Sequence, residues 1–164
     1  MNIAIHTCSQ GILSVHLPFI QEDSYKKDTI FDFVSKLKIT VSGPYPLGKT
    51  LAQEIQSYLQ GENFKFSDYP VIWNKTTTFC KLVLSNLGHI PYGKTLSYSE
   101  LAMIIGCPSA IRAVGQALKR NPWPILFPCH RVIGKNGQLK GFSSGIAWKG
   151  ILLNIEKFAK GVNR

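Results

Sequence analysis

A thiol, an imidazole and a guanidinium follow one another without a break in Phe127-Pro128-Cys129-His130-Arg131-Val132-Ile133-Gly134. A thiolate is a strong nucleophile, and an imidazole next to it can take the thiol proton. The run closes an apolar stretch, Pro124, Ile125, Leu126 and Phe127, which reads as a buried strand and would hold the sulfur on a rigid support. Cys129 is therefore a candidate nucleophile, although a cysteine serving only as a small buried hydrophobe fits the same residues. A thiol at its ordinary pKa of ~8.5 is about 3% ionised at neutral pH, and lowering it to ~5 would yield roughly 30-fold more thiolate. Nucleophilicity falls with pKa at a slope of ~0.4–0.5, which removes a similar factor. Acceleration must then come from aligning sulfur with the reacting carbon and from protonating the leaving group.

The pattern extends on both sides. Asn121-Pro122 and Pro124 precede the cysteine, and Gly141-Phe142-Ser143-Ser144-Gly145, Lys149, Leu152-Leu153 and Glu156 follow it. Together these residues resemble the active-site signature of the O6-alkylguanine-DNA alkyltransferases (methylated-DNA–protein-cysteine methyltransferases), whose core motif is PCHRV. The likeness covers residues 77 to 157 well and the first 70 loosely.

The resemblance implies transfer of an alkyl group from O6-alkylguanine in double-stranded DNA, with O4-alkylthymine as a second substrate, to Cys129. The lesion lies at the Watson-Crick edge inside the stack, so the nucleotide must be extruded first; the family does this from the minor groove with a helix-turn-helix. By the same resemblance His130 takes the thiol proton through an ordered water, and Glu156 orients the imidazole as third member of a Cys-His-Glu relay. Tyr98 donates a proton to the departing guanine, and Asn121 ties the turn around the thiol. Val132, Phe142 and Ser143 line the base pocket, Arg112 is the finger that fills the space the base vacates, and Lys149 is structural or faces phosphate. A thioether is not cleaved by water, and the chain shows no cofactor motif or second nucleophile to regenerate the thiol. Each molecule is expected to act once, as a monomer, without cofactor.

Two departures bear on which alkyl groups fit. Thr77-Thr78-Phe79-Cys80-Lys81-Leu82-Val83-Leu84 stands where the family commonly has TxFQxxVW, and Phe142-Ser143-Ser144-Gly145 where it often has Tyr-Ser-Gly-Gly. Phe142 keeps the ring without the hydroxyl, and Ser144 adds bulk. Two other functions compete. An alkyltransferase-like protein would bind the lesion without transfer, but such proteins typically replace the nucleophile that is intact here. A thiol hydrolase would use similar Cys-His-Glu logic, but it usually draws its histidine from a distant segment and has no use for a basic half.

Charge supports a polyanionic partner. The 164 residues carry a net charge of +10, and 13 of the 19 Lys/Arg lie from residue 75 onward against two acids, Glu100 and Glu156. The half that carries the Cys-His run therefore carries the positive field. No apolar stretch reaches membrane-spanning length, and the N-terminus lacks a basic start and a cleavage site, so a cytoplasmic protein is expected, or a nuclear one if eukaryotic. Four cysteines without a CxxC pair argue against disulfides in a reducing compartment, and no metal-ligand spacing links Cys8 or Cys80 with His6, His16 or His89.

Residues 1 to 20 suggest a β-hairpin around Ser9-Gln10-Gly11. Residues 28 to 41 fit a helix or a helix running into a strand. Leu51, Ile55, Tyr58 and Leu59 repeat at helical spacing up to Gly61, and residues 62 to 75 look like a linker. Phe79, Leu82, Val83, Leu87 and Ile90 suggest a helix stopped by Pro91-Tyr92-Gly93. Ser97-Tyr98-Ser99-Glu100 spells a capping box for a helix to about Gly106. Pro108 suits the first turn of the next helix, Ser109 to Lys119, with Ile111, Val114 and Leu118 inward. These two look like a helix-turn-helix, the second helix presenting Arg112, Ala113, Gly115, Gln116 and Lys119; small residues there admit close approach to DNA, though an ordinary core helix with a solvated face fits equally. Trp148, Ile151, Leu152, Ile155 and Phe158 define a last helix, on which Glu156, taken alone, reads as a surface residue.

The fold class expected is α+β: residues 1–74 a small N-terminal support domain, a β-sheet with a flanking helix, ribonuclease H-like by resemblance; residues 75–164 a mainly helical domain with a helix-turn-helix and the site.

Overall fold

A computed structural model describes residues 1–20, 30–66, 68–74 and 76–159. Strand β1 (Asn2–Cys8) pairs antiparallel with β2 (Gly11–His16) as the hairpin expected, and β3 (Lys38–Ser42) lies parallel to β1 on its other side. The sheet order is β2-β1-β3. Period-two alternation places Ile3, Ile5 and Thr7 of β1 and Val15 of β2 on the covered face. Helix α1 (Ile30–Ser35) runs into β3, which settles residues 30–41 as helix followed by strand; residues 28 and 29 fall outside the described residues. Helix α2 (Gly48–Leu59) turns Leu51, Ile55, Tyr58 and Leu59 inward at i, i+4, i+7 and i+8, a single stripe laid on the sheet. Gly61, with φ 102, lets the chain leave that helix in the left-handed region.

Helix α3 (Thr78–Leu87) is capped by Thr77, whose Oγ1 accepts from Cys80 N at 3.2 Å. Strand β4 (Leu96–Ser97) leads directly into α4 (Tyr98–Ile104) through the expected capping box: Ser97 Oγ accepts from Glu100 N at 3.2 Å, and Ser97 N donates to Glu100 Oε2 at 2.6 Å. Helix α5 (Ile111–Lys119) packs on α4 and α3. A 3-10 turn (Cys129–Arg131) enters β5 (Val132–Ile133), which pairs in parallel with β4, and α6 (Ile146–Ala159) closes the chain. Pairing Ser97 with Ile133 fixes Tyr98 near the turn that carries Cys129. Two small sheets and six α-helices among the described residues make a mixed α+β fold around one continuous apolar cluster. Two indoles tie the sheet region to the helices: Trp123 Nε1 donates to Ile12 O at 3.1 Å, and Trp148 Nε1 to Pro18 O at 2.6 Å.

The structure corrects several expectations. Residues 124–126 are buried and Phe127 half-buried, but the stretch forms a turn, with Phe127 N donating to Trp123 O at 3.0 Å and Ile125 at φ 77. Pro122, Pro124 and Pro128 supply no ladder donors, and a short apolar run does not by itself separate strand from buried turn. Helix α5 begins at Ile111 rather than Ser109, with Pro108 and Ser109 in a turn before it, and Ile111, on the same stripe as Val114 and Leu118 but at the first position of the helix, is 43% exposed. Leu82 also faces outward, about 200° around α3 from buried Leu84. Ile90 is buried beyond the end of that helix. The stretch 62–72 is irregular, as a linker would be, yet it packs: Ile12 N donates to Pro70 O at 2.8 Å, Ile72 N to Ile12 O at 2.9 Å, and Phe66 is buried.

No helix among the described residues is long and apolar enough to cross a membrane. All four cysteines are unpaired.

Candidate active site

Cys129 is held by its neighbours' backbone. Cys129 N donates to Phe127 O at 2.7 Å and Arg131 N to Pro128 O at 3.0 Å, so the proline corner and the 3-10 turn fix the Cα–Cβ direction. Asn121, at the end of α5, reinforces this from the side. Its Nδ2 donates to Phe127 O at 2.9 Å and to Cys129 Sγ at 3.1 Å, and its Oδ1 accepts from Trp123 N at 3.0 Å. The thiol is 2% exposed. Burial pushes it up to about 11, against the opposing pull of the Asn121 hydrogen bond and the Lys149 charge. Cys129 therefore rests as a neutral thiol at pH 7.

His130 is fully buried, and its ring makes no direct hydrogen bond to the thiol beside it. Its Nε2 lies 2.8 Å from Glu156 Oε1 and 3.1 Å from the Tyr58 hydroxyl. A carboxylate can only accept, which assigns the ring proton to Nε2 and leaves Nδ1 with a lone pair. Nδ1 is buried and finds no hydrogen-bond partner among the described residues. Burial lowers the pKa of His130; Glu156 opposes that shift, and Arg131 and Lys149 add to it. The imidazole is neutral at pH 7, the state a proton acceptor requires.

Glu156, which the helical pattern alone would put on the surface, is fully buried. It accepts from Tyr58 OH at 2.6 Å and Gly93 N at 2.7 Å as well as from His130. Arg131 meets it side-on, with Nε 3.1 Å from both oxygens and Nη2 2.9 Å from Oε1, while Nη1 donates to Ile90 O at 2.7 Å. Burial would raise this carboxyl, but His130 and Arg131 outweigh it and hold it down to about 2. A buried charge so fully paired is an anchor for the imidazole.

On the other side of the thiol, Tyr98 OH donates to Lys140 O at 2.7 Å. Lys149 is fully buried rather than facing phosphate; its Nζ donates to the same carbonyl at 2.7 Å and to Tyr98 OH at 3.4 Å. Burial pulls the ammonium down to about 8, with Cys129 acting the other way. The Tyr98 hydroxyl is pushed up by burial and by Cys129. Val132 and Phe142 are buried near the turn and Ser143 is exposed. Arg112, Ala113, Gln116 and Lys119 lie exposed along α5, and Gly115 is half-buried, its missing Cβ 3.9 Å from the Tyr98 ring. The structure thus gathers Cys129, His130, Glu156, Asn121, Tyr98 and Lys149 around one buried centre and leaves the α5 face open.

Tyr58, Arg131 and Gly93 complete the cluster without having been singled out for it. Tyr58 reads as one more member of an apolar stripe. A tyrosine in a fully buried stripe needs a partner for its hydroxyl, and that was the available signal.

A family model described as 6-O-methylguanine DNA methyltransferase, DNA binding domain, matches residues 78–158. The constitutive methylated-DNA–protein-cysteine methyltransferase of Bacillus subtilis is 48% identical over 108 residues, 65% of this chain and 64% of that protein. The methyltransferase of Methanosarcina barkeri is 44% identical over 65% of this chain and 66% of its own length. The matched region thus spans somewhat less than two thirds of these curated relatives. Among solved structures, the O6-methylguanine methyltransferase of Mycobacterium tuberculosis is 32% identical, with a TM-score of 0.64 over 95% of this chain and 93% of that one. A structure of Mycobacterium tuberculosis OGT in complex with DNA gives a TM-score of 0.73 at 28% identity, covering 97% and 94%. The chain belongs to the methylated-DNA–protein-cysteine methyltransferase family.

Proposed function

We propose that this protein repairs duplex DNA by moving the alkyl group of O6-alkylguanine irreversibly onto Cys129, with O4-alkylthymine as a further substrate. The observation that carries the reading is the buried, unpartnered Nδ1 of an imidazole whose other nitrogen is tied to a buried carboxylate, one residue from a thiol. That arrangement is a general base prepared for a proton from the sulfur side.

The thiol proton passes through one water to His130 Nδ1, sulfur attacks the alkyl carbon, and the carbon–oxygen bond to the purine breaks. Tyr98 gives its proton to the departing guanine ring, and the Lys149 ammonium, 3.4 Å away, restores it. Glu156 stabilises the imidazolium. Because the thiol rests neutral, its ionisation is coupled to the encounter with substrate, and rate comes from alignment and from leaving-group protonation. The thioether product is final, so each molecule acts once.

Helices α4 and α5 serve as a helix-turn-helix. Arg112 fills the space of the extruded base, Ala113, Gly115 and Gln116 approach the minor groove, and Lys119 meets phosphate. Val132, Phe142 and Ser143 form the base pocket. Residues 1–74 form a support domain of ribonuclease H-like kind, residues 75–164 carry the DNA-binding and alkyl-transfer functions, and the protein works as a cytoplasmic monomer, or a nuclear one in a eukaryote.

Mass spectrometry after exposure to duplex containing O6-methylguanine tests the proposal. One methyl on the Cys129 peptide of the wild type and none on Cys129→Ala is the expected result. Tight lesion binding with no mass gain would replace the transferase with a lesion-recognition protein.

A further inference from the structure

Tyr58 belongs to α2, a helix otherwise occupied with covering the sheet, yet its hydroxyl sits in the buried charge cluster. It donates to Glu156 Oε1 at 2.6 Å and stands 3.1 Å from His130 Nε2. The side chain is 1% exposed, and its ring is held edge-on by Phe66 at 5.8 Å and Tyr92 at 6.0 Å between centroids. Packing therefore sets where the oxygen lies, independently of the carboxylate it meets.

We propose that Tyr58 is a positioning residue for alkyl transfer: it pins Glu156 Oε1 against the Nε2 edge of His130, and so keeps Nδ1 unprotonated and available to the thiol. This rests on the transferase reading above and makes the N-terminal half part of the chemistry rather than a support alone. Two oxygens facing one ring edge, at 2.8 and 3.1 Å, accept an N–H there and disfavour the flipped ring, which would present a C–H.

Charge sharing adds a second effect. The groups around His130 are Tyr58 from α2, Glu156 and Lys149 from α6, Arg131 and Cys129 from its own turn, and Tyr92 and Gly93 from the loop before β4. A phenol that donates at 2.6 Å spreads the negative charge of Oε1, so less remains to attract a proton to the imidazole. Burial and Glu156 hold the phenol well above its ordinary pKa, so it stays a donor across the working range.

The test uses full-length protein, wild type and Tyr58→Phe, which removes one oxygen and keeps the packed ring. Single-turnover methyl transfer from O6-methylguanine duplex is followed across pH, and the His130 ring is titrated by NMR in the absence of DNA. Tyr58→Phe is expected to reach the same endpoint of one methyl per chain, several-fold more slowly at pH 7. Its acid limb and its His130 titration should move up together by roughly half a pH unit or more, as charge returns to Oε1. A slower rate with both titrations unmoved would reduce Tyr58 to packing and overturn the proposal. Should Tyr58→Phe fail to fold, 3-fluorotyrosine at position 58 keeps the oxygen and makes it a stronger donor. A downward shift then supports the proposal, and no shift overturns it. If wild type acquires no methyl, the transferase reading fails by itself, while the NMR titration still decides the role of Tyr58.

Discussion

One amide group, Asn121 Nδ2, lies 2.9 Å from the carbonyl oxygen of Phe127 and 3.1 Å from the sulfur of Cys129. The end of α5 is thereby joined to the turn that carries Cys129, and the joint sits on the sulfur itself. Since Asn121 Oδ1 also accepts from Trp123 N at 3.0 Å, the side chain has no freedom to turn away when the thiol ionises. A donor fixed 3.1 Å from sulfur favours the thiolate over the thiol. The residue that shapes the loop is thus also the one that eases its chemistry.

Asn121→Ala is expected to leave the Trp123 amide unpaired, at a cost of roughly 1–3 kcal/mol, and the Phe127 carbonyl with the Cys129 amide as its remaining donor. Asn121→Asp is the sharper variant because it keeps the shape and removes the donor. Transfer should fall at least a hundredfold on the aspartate variant as its carboxylate repels the thiolate. Urea unfolding measures the first effect and single-turnover kinetics the second; an aspartate variant that transfers at the wild-type rate would show that the bond to sulfur is not used.

Glu156 links stability to pH. Its carboxyl is held at about 2 in the fold against an ordinary value of 4.5, so as pH falls the unfolded chain takes up the proton first. The stabilisation is whole above about pH 5 and drains away between about 4.5 and 2. Glu156→Gln should lose that acid sensitivity. It should also be less stable at neutral pH by roughly 3–5 kcal/mol, because Arg131 is left buried without its counter-charge. Unfolding free energies from pH 3 to 7 measure both, and parallel pH curves for the two proteins would contradict the assignment.

Contacts to DNA should separate from contacts to the base. Lys119→Gln is expected to weaken binding of any duplex and to reduce the salt dependence of log K by about one unit in slope. Arg112→Ala should slow transfer from duplex DNA far more than transfer from the free base O6-benzylguanine, because only the duplex leaves a gap to fill. Equal losses on both substrates would put Arg112 in the chemistry rather than in base extrusion.

The chemistry-bearing run was legible because its residues are adjacent, and the capping box at Ser97 because its two hydrogen bonds are local. The hairpin, α2 and α6 were legible because burial repeats with the period of the element. Glu156 was legible only through the resemblance and Tyr58 not at all, since their meaning lies in partners 26 to 98 residues away: Oε1 meets His130 and the Tyr58 hydroxyl across the whole fold. The turn at 124–127 was misread because burial without periodicity does not specify a backbone conformation, and Ile125 with φ 77 adopts one that its residue type disfavours. Lys149 shows the same limit. A lysine between Trp148 and Gly150 gives no sign that its ammonium points inward.

That inward ammonium makes Lys149 a residue whose stability cost and functional use oppose one another. Its proton leaves near pH 8 in the fold but only near ~10.4 in the unfolded chain. Below pH 8 both states carry the charge and the fold bears the burial of an ammonium; between about 8 and 10 the unfolded chain binds more protons, so stability rises with pH. Lys149→Met keeps the stem and removes the charge. It is expected to be at least as stable as wild type at pH 7, to lose the rise above pH 8, and to transfer alkyl groups more slowly because Tyr98 no longer has a proton source 3.4 Å away. Thermal unfolding at pH 7 and 9.5 with single-turnover rates on both proteins checks all three. A variant clearly less stable than wild type at pH 7 would mean that the 2.7 Å bond to Lys140 O outweighs the burial of the charge, and that the lysine is retained for structure rather than for the reaction.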